Sequence, residues 1–390
     1  MTDDDGALAR PLTGALARFT RDLTAEARAG RLEPVRCRDE EVARLIDILL
    51  RQGKNNAALV GPAGVGKTAI AEALAERLAL GDVPLMLRNA RVLALDHVSL
   101  LAGAAYRGQY EERVRALVAE TTADPDVLLF IDELHNLIGQ GSSIGSAMDA
   151  ANMLKPSLVR GDFRVIGATT SEEYDRWIRG DPALERRFQR VIVRELTSEE
   201  TMDVLQARRE RLERHHHVLI TDEALRAAVE LTDEHVTDRR RPDRAIDVLD
   251  EACAHLHATT VYAPDVESLI IASRPPRGGR RRPTPSTATP ERNGTTVEEE
   301  DPLGQMARDG FRALEAFGAG LEAIISGPST EVAPAPVVPV TVDTPRVAPV
   351  RIAPPSLRAM LERDNVRLRG TDVARAVAVA TGQTIRWVES

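Results

Sequence analysis

The sequence predicts an α/β protein, with a parallel sheet sandwiched by helices, joined to a small all-α domain. Three observations carry this. Residues 12 to about 273 alternate short apolar runs with amphipathic helical stretches, the pattern of strands linked by crossover helices. One of those runs, Ala57–Val60, feeds a glycine-rich loop and then an alanine-rich helix. From Ser198 to Ala258 the strand-like runs stop and the pattern is helical throughout.

Taken in order, residues 1–30 read as an N-terminal helical arm and residues 31–197 as the α/β domain. Its candidate strands are Ala57–Val60, Arg91–Leu95, Val127–Ile131, Arg164–Gly167 and Val191–Val193. Residues 198–273 form the helical lid. Composition then changes: fourteen of the 23 prolines fall between Arg274 and Pro355, with few large apolar residues among them. Such a stretch buries too little surface to offset its ordering entropy, so residues 274–355 are predicted to be a mostly disordered linker. Within it, Leu303, Met306, Phe311, Leu314, Phe317, Leu321 and Ile324 recur at helical spacing. A helix over 303–326 either docks a partner or folds back on the protein's own body. Residues 332–354 alternate with proline and read as polyproline-like, and residues 356–390 return to a short helical segment.

The totals exclude several classes. A formal net charge of −9 and a pI near 5.6 argue against a general nucleic-acid binder. Cys37 and Cys253 are too few and too far apart for a disulfide framework or a zinc site. No apolar stretch approaches the roughly 20 residues needed to span a bilayer. The acidic Met1-Thr2-Asp3-Asp4-Asp5 start is unlike a secretion signal. The expectation is a cytoplasmic protein that does not engage membranes.

The loop Gly61-Pro62-Ala63-Gly64-Val65-Gly66-Lys67-Thr68 matches GxxxxGK[ST] at every fixed position. A strand, a glycine loop and a helix N-terminus together aim several backbone N–H groups at one anion. Lys67 is placed to lie against the β- and γ-phosphates of ATP, and the Thr68 hydroxyl to ligate Mg²⁺. Downstream, Val127–Ile131 is an apolar strand ending in Asp132 and Glu133. The C-terminal end of a buried parallel strand is where ligands sit. Asp132 is expected to hold Mg²⁺ and Glu133 to act as general base on the attacking water. A third strand ends at Thr169-Thr170, where Thr170, in preference to Thr169, is assigned to sense the γ-phosphate. Helix capping is expected of Thr169 more than of Thr170. Arg186 and Arg187 are candidate arginine fingers, which in an oligomeric ATPase neutralise charge on the phosphoryl group held by a neighbouring subunit. His215-His216-His217 point in different directions on a helix and cannot converge on a metal.

These motifs in this order resemble the AAA+ ATPases, and within them the first ATPase ring of the Clp/heat-shock disaggregase family. The likeness extends to Phe19–Thr24, Leu32–Val35, Arg38–Glu41, Lys54–Asn56, Tyr106–Arg113, Ala147–Ala150, Asn152–Pro156 and Pro242–Asp247. It covers residues 15 to about 258. The resemblance implies a homo-oligomeric, hexameric ring that binds ATP between subunits and pulls a protein substrate through a central pore. It places the pore grip on Tyr106, with Arg107 and Gly108 beside it. A tyrosine ring is a large, sequence-tolerant contact at low entropy cost, which suits that task. The chain departs from the family at Ala105, where a lysine is usual, and at Val35-Arg36-Cys37-Arg38, where Val-Ile-Gly-Arg is common. The family's N-terminal recruiting domain, coiled-coil arm and second ring are not recognisable. Residues 370–383 faintly resemble the stretch leading into that second ring. The reading is a Mg²⁺-dependent ATP hydrolase that unfolds or remodels proteins. The alternative is an ATP-switched assembly ring that docks a dedicated partner through its C-terminal tail.

Overall fold

The computed structural model describes residues 11–102, 107–138, 147–273 and 356–388. The linker, its 303–326 helix and Tyr106 lie outside the described residues.

Six strands form one sheet: β1 (Thr20–Asp22), β2 (Asn56–Val60), β3 (Arg91–Leu95), β4 (Val127–Ile131), β5 (Arg164–Thr169) and β6 (Phe188–Ile192). Their spatial order is β1-β3-β4-β5-β2-β6. All neighbours pair in parallel except β1, which runs antiparallel to β3 with Thr20 opposite Leu95. Every residue of β2 and β4 is buried, which is why both read as unbroken apolar runs instead of alternating ones.

The helices of this domain are α1 (Gly14–Phe19), α2 (Leu23–Arg28), α3 (Asp39–Leu49), α4 (Lys67–Leu80), α5 (His97–Leu101), α6 (Arg107–Ala123), α7 (Leu134–Ile138), α8 (Ala147–Arg160) and the short α9 (Ser171–Glu173) and α10 (Pro182–Glu185). Alternation along β2 divides them. Ala58 and Val60 face a core shared with α1, α6 and α8, whereas Ala57 and Leu59 face α2, α3 and α4. The predicted sandwich is therefore present. Two local features differ from expectation: the arm is interrupted by the edge strand β1, and the last strand begins at Phe188, earlier than Val191–Val193 suggested.

The lid comprises α11 (Ser198–His216), β7 (Leu219–Ile220), α12 (Asp222–His235), α13 (Asp243–Thr259) and α14 (Pro264–Ser273). It is completed by the C-terminal segment: α15 (Leu357–Arg363), β8 (Arg367–Leu368) and α16 (Gly370–Thr381). Strand β8 pairs in parallel with β7, setting Ile220 against Leu368, so the helical lid carries a two-stranded ribbon. Leu219 N–H donates to Val366 O at 3.0 Å, and the Thr221 hydroxyl donates to Leu368 O at 2.8 Å. Leu361, Leu368, Val373 and Val377 share one core with Leu225, Val229 and Leu249. The buried Glu213 carboxylate accepts from Ile220 N–H (2.9 Å), Arg209 Nε (3.2 Å) and Arg358 Nη1 (2.8 Å). The tail is thus an integral part of the lid. No helix among the described residues is long and apolar enough to cross a membrane.

Candidate functional site

At the end of β2 the chain turns through Gly61–Gly66 into α4, and packing explains the glycines. A Cβ on Gly61 would collide with the Val193 carbonyl oxygen. Gly64 and Gly66 sit at φ +79° and +88°, the left-handed region that side chains strain to enter. The first N–H groups of α4 therefore face the loop without intrahelical partners. Lys67 Nζ donates to the loop's own carbonyls, Gly61 O at 2.9 Å and Pro62 O at 2.8 Å. Burial lowers the Lys67 pKa, while Asp132, Glu173 and Glu133 act in the opposite direction.

The two halves of the site meet directly. Thr68 Oγ1 donates to Asp132 Oδ2 at 2.9 Å, joining the start of α4 to the end of β4. The next residue, Glu133, has φ +50°, an uncommon backbone state for a residue with a side chain. It is held there by its own N–H donating to Asp132 Oδ1 (3.0 Å) and by Asn136 Nδ2 donating to Glu133 Oε2 (2.6 Å). Thr68 and Asp132 offer two oxygen donors side by side. That set suits Mg²⁺, which binds few protein oxygens and completes its shell with phosphate and water.

At the end of β5 the helix cap is Thr170 and not Thr169, the threonine from which capping was expected. Thr170 is the cap of α9: its Oγ1 accepts from Glu173 N–H at 3.3 Å, and its N–H donates to Glu173 Oε2 at 3.0 Å. Thr169 is 3% exposed and donates its hydroxyl to the same Glu173 Oε2 at 3.1 Å. Both threonines line the cavity. His135 Nδ1 lies 3.0 Å from that oxygen as well. Burial pushes the Glu173 carboxyl upward, but hydrogen bonds from Thr170 and Thr169 and the nearby His135 carry it net below its ordinary value.

These groups line one cavity of about 590 Å³. Its lining extends past the phosphate loop to an apolar group, Pro34, Val35, Leu196, Val204 and Ile246, flanked by the charged Arg36, Arg38, Arg208, Asp243 and Asp247. A polar end joined to an apolar slot is the shape a nucleotide requires. Arg186 is exposed and Arg187 half-buried beside Gly161; neither lines the cavity. Gly108 is exposed in the first turn of α6. Arg113 Nη1 donates to Leu100 O and Ala102 O, each at 2.8 Å, tying α6 to the end of α5.

Sequence reasoning missed Glu173, His135 and the lid's side of the apolar slot; on the other side, the resemblance had set Val35-Arg36-Cys37-Arg38 near the adenine, and Val35, Arg36 and Arg38 line the cavity. The Thr170-x-x-Glu173 spacing is a readable capping box. Leu196, Val204 and Arg208 carry no local signal.

Comparison with known proteins gives concordant results. Residues 57–196 match the model of the ATPase family associated with various cellular activities (AAA), and residues 197–271 match the AAA lid domain. The chain is 52% identical over 252 residues to chaperone protein ClpB 1 of Parasynechococcus marenigrum, covering 64% of this chain and 29% of that protein. With ClpB of Mesorhizobium japonicum it is 49% identical over 262 residues, 67% of this chain and 30% of that one. Among solved structures, the Saccharomyces cerevisiae Hsp104–ADP complex superposes with a TM-score of 0.58 at 42% identity, covering 62% of this chain and 41% of that chain. The extended Hsp104–casein complex gives a TM-score of 0.57 at 41% identity, covering 63% and 42%. The chain spans about 30% of the length of these curated relatives.

Proposed function

The chain belongs to the AAA ATPases, and on that premise we propose that it assembles into a homo-oligomeric, hexameric ring in the cytoplasm that hydrolyses ATP to remodel or unfold protein substrates. The observation that carries the chemistry is the Thr68–Asp132 hydrogen bond, with Glu133 adjacent, at the mouth of one cavity.

The roles follow from placement. Residues Gly61–Thr68 cradle the phosphates, and Lys67 exchanges its loop carbonyls for phosphate oxygens. Thr68 and Asp132 hold Mg²⁺, which supplies charge neutralisation when bound. Asn136 fixes one oxygen of Glu133, leaving the other to take a proton from the attacking water, a contribution of about 10²–10⁴ in rate. Thr170, with its hydroxyl already accepting from Glu173 N–H, keeps that hydroxyl's proton available for the γ-phosphate or the water. Arg186 and Arg187, on the surface of their own subunit, act on the neighbour's nucleotide. Removing such an arginine costs about 10³–10⁵ in turnover.

For work on polypeptide, Tyr106 is the pore grip, with Arg107 and Gly108 beside it opening α6, the helix that Arg113 ties to the end of α5. The relatives' association with casein supports a protein substrate. The alternative, an assembly ring docking its partner through the tail, is weakened because residues 356–388 spend their apolar face on the lid.

The test is steady-state ATP turnover with and without an unfolded model polypeptide, in the native protein and in Tyr106→Ala. Stimulation by polypeptide that disappears in Tyr106→Ala is expected. Turnover indifferent to polypeptide in both proteins would contradict the remodelling function and favour the switch.

A further inference from the structure

Besides Lys67, the cavity is lined by the arginines Arg36, Arg38 and Arg208, which the phosphate chemistry does not use. Helix α11 turns Val204 and Arg208, four residues apart and so on one face, into the cavity wall. Lys67 interacts with Asp132, Glu173 and Glu133, whereas Arg208 acts on Glu72 and Asp243. Glu72 lies one helical turn beyond Thr68 on α4, Asp243 packs against Gly64, and both line the cavity together with Arg208.

The other arginines at this end are committed. Arg38 is buried and donates to Val65 O and Arg194 O. Arg36 folds onto Val35 O at 3.2 Å. Arg244 turns away from the cavity to Asp233 and Val236 O. Glu33 is taken by Arg211, whose Nε stands 2.8 Å from Glu33 Oε1, and Arg211 also donates to Arg31 O and Leu32 O. Arg208 is ion-paired through Nε with the other Glu33 oxygen at 3.6 Å; that buried nitrogen makes no hydrogen bond, and the terminal guanidinium nitrogens are the donors left for a ligand.

We propose that Arg208 is a nucleoside-recognition residue, donating from its guanidinium to ribose or base acceptors of the nucleotide whose phosphates lie at the Lys67 end. This rests on the nucleotide reading of the cavity. It gives the lid a direct hold on the nucleoside through its first helix. A fork of donors at that position rewards an intact nucleotide over bare phosphate, which makes Arg208 a specificity residue.

The test is calorimetric titration of the full chain with ADP and, separately, with inorganic pyrophosphate, in the native protein, Arg208→Leu and Arg208→Lys. Arg208→Leu is expected to weaken ADP by about tenfold or more, the worth of a hydrogen bond from a charged group, while pyrophosphate stays within about twofold. Arg208→Lys falls between, because it keeps the charge and loses the planar fork. A 2′,3′-dideoxy-ADP arm separates the acceptors: with a ribose-hydroxyl contact the Arg208→Leu penalty disappears for this ligand, with a base contact it remains. Retained pyrophosphate binding also reports a folded site. Unchanged ADP affinity, or equal loss for ADP and pyrophosphate, would overturn the proposal. A native protein binding neither ligand would overturn the nucleotide reading itself.

Discussion

The α/β domain and the lid are built by opposite routes. In the α/β domain, β2 to β6 come from one continuous span, and β2, β4 and β5 end at the cavity. The lid joins residues 198–273 to residues 356–388 across an 82-residue gap in the chain, through a ribbon two residues long on each side. The first construction places chemistry by local pattern, since a buried strand followed by a loop positions Thr68 and Asp132 almost by itself. The second depends on a long-range closure whose stability is in side-chain burial and one shared carboxylate, Glu213. The lid that walls the nucleotide slot with Val204, Arg208 and Ile246 is therefore only as firm as its distant C-terminal piece.

Ending the chain at residue 355 is expected to have the largest effect. It strips Leu361, Leu368, Val373 and Val377 from the lid core, on the order of 6–12 kcal/mol at about 1.5–3 kcal/mol per side chain. A truncated protein should keep the thermal transition of its sheet and lose that of the lid, followed by differential scanning calorimetry. A lid transition surviving at its original temperature would mean that the two pieces fold independently. Glu133→Gln should cost about 10²–10⁴ in ATP turnover with ATP still bound, because it leaves the loop, Thr68 and Asp132 intact. Normal turnover in that protein would remove Glu133 as the base.

The smallest effect concerns the junction between the regions, where Arg194 at the end of β6 pairs with Glu200 on α11 at 2.6 Å. The hydrogen bond from Arg194 lowers the Glu200 pKa to about 2 from 4.5. A depressed carboxylate stabilises the fold fully above its unfolded value, and this contribution fades as pH falls from about 4.5 toward 2. The pair is largely solvated, so its worth is about 0.2–1 kcal/mol. An NMR titration of Glu200 should show its midpoint near 2; an ordinary carboxylate midpoint would mean the pair does not persist in solution.

The α/β domain was largely readable because burial on both faces writes itself as an apolar run, and because the phosphate loop needs glycine where φ is positive. Strand β1 was not readable: Thr20-Arg21-Asp22 is polar and sits at an antiparallel edge. The capping role of Thr170 escaped because hydroxyls at 169 and 170 look alike until the backbone direction at the end of β5 is known. The β7–β8 pairing escaped for a different reason. Two residues carry no periodicity, and their partners lie 148 positions apart. Arg208 escaped because an arginine on an amphipathic helix is ordinarily a solvated charge, and only the cavity wall distinguishes it.

The most direct measurement is hydrogen exchange on the intact chain, comparing the Leu219 and Thr221 amides with those along α16. Because Leu219 and Thr221 donate to carbonyls of the tail, a lid built from both pieces requires them to exchange slowly and together with α16. Rapid exchange at Leu219 and Thr221 alongside protected α11 to α13 would contradict the two-piece lid.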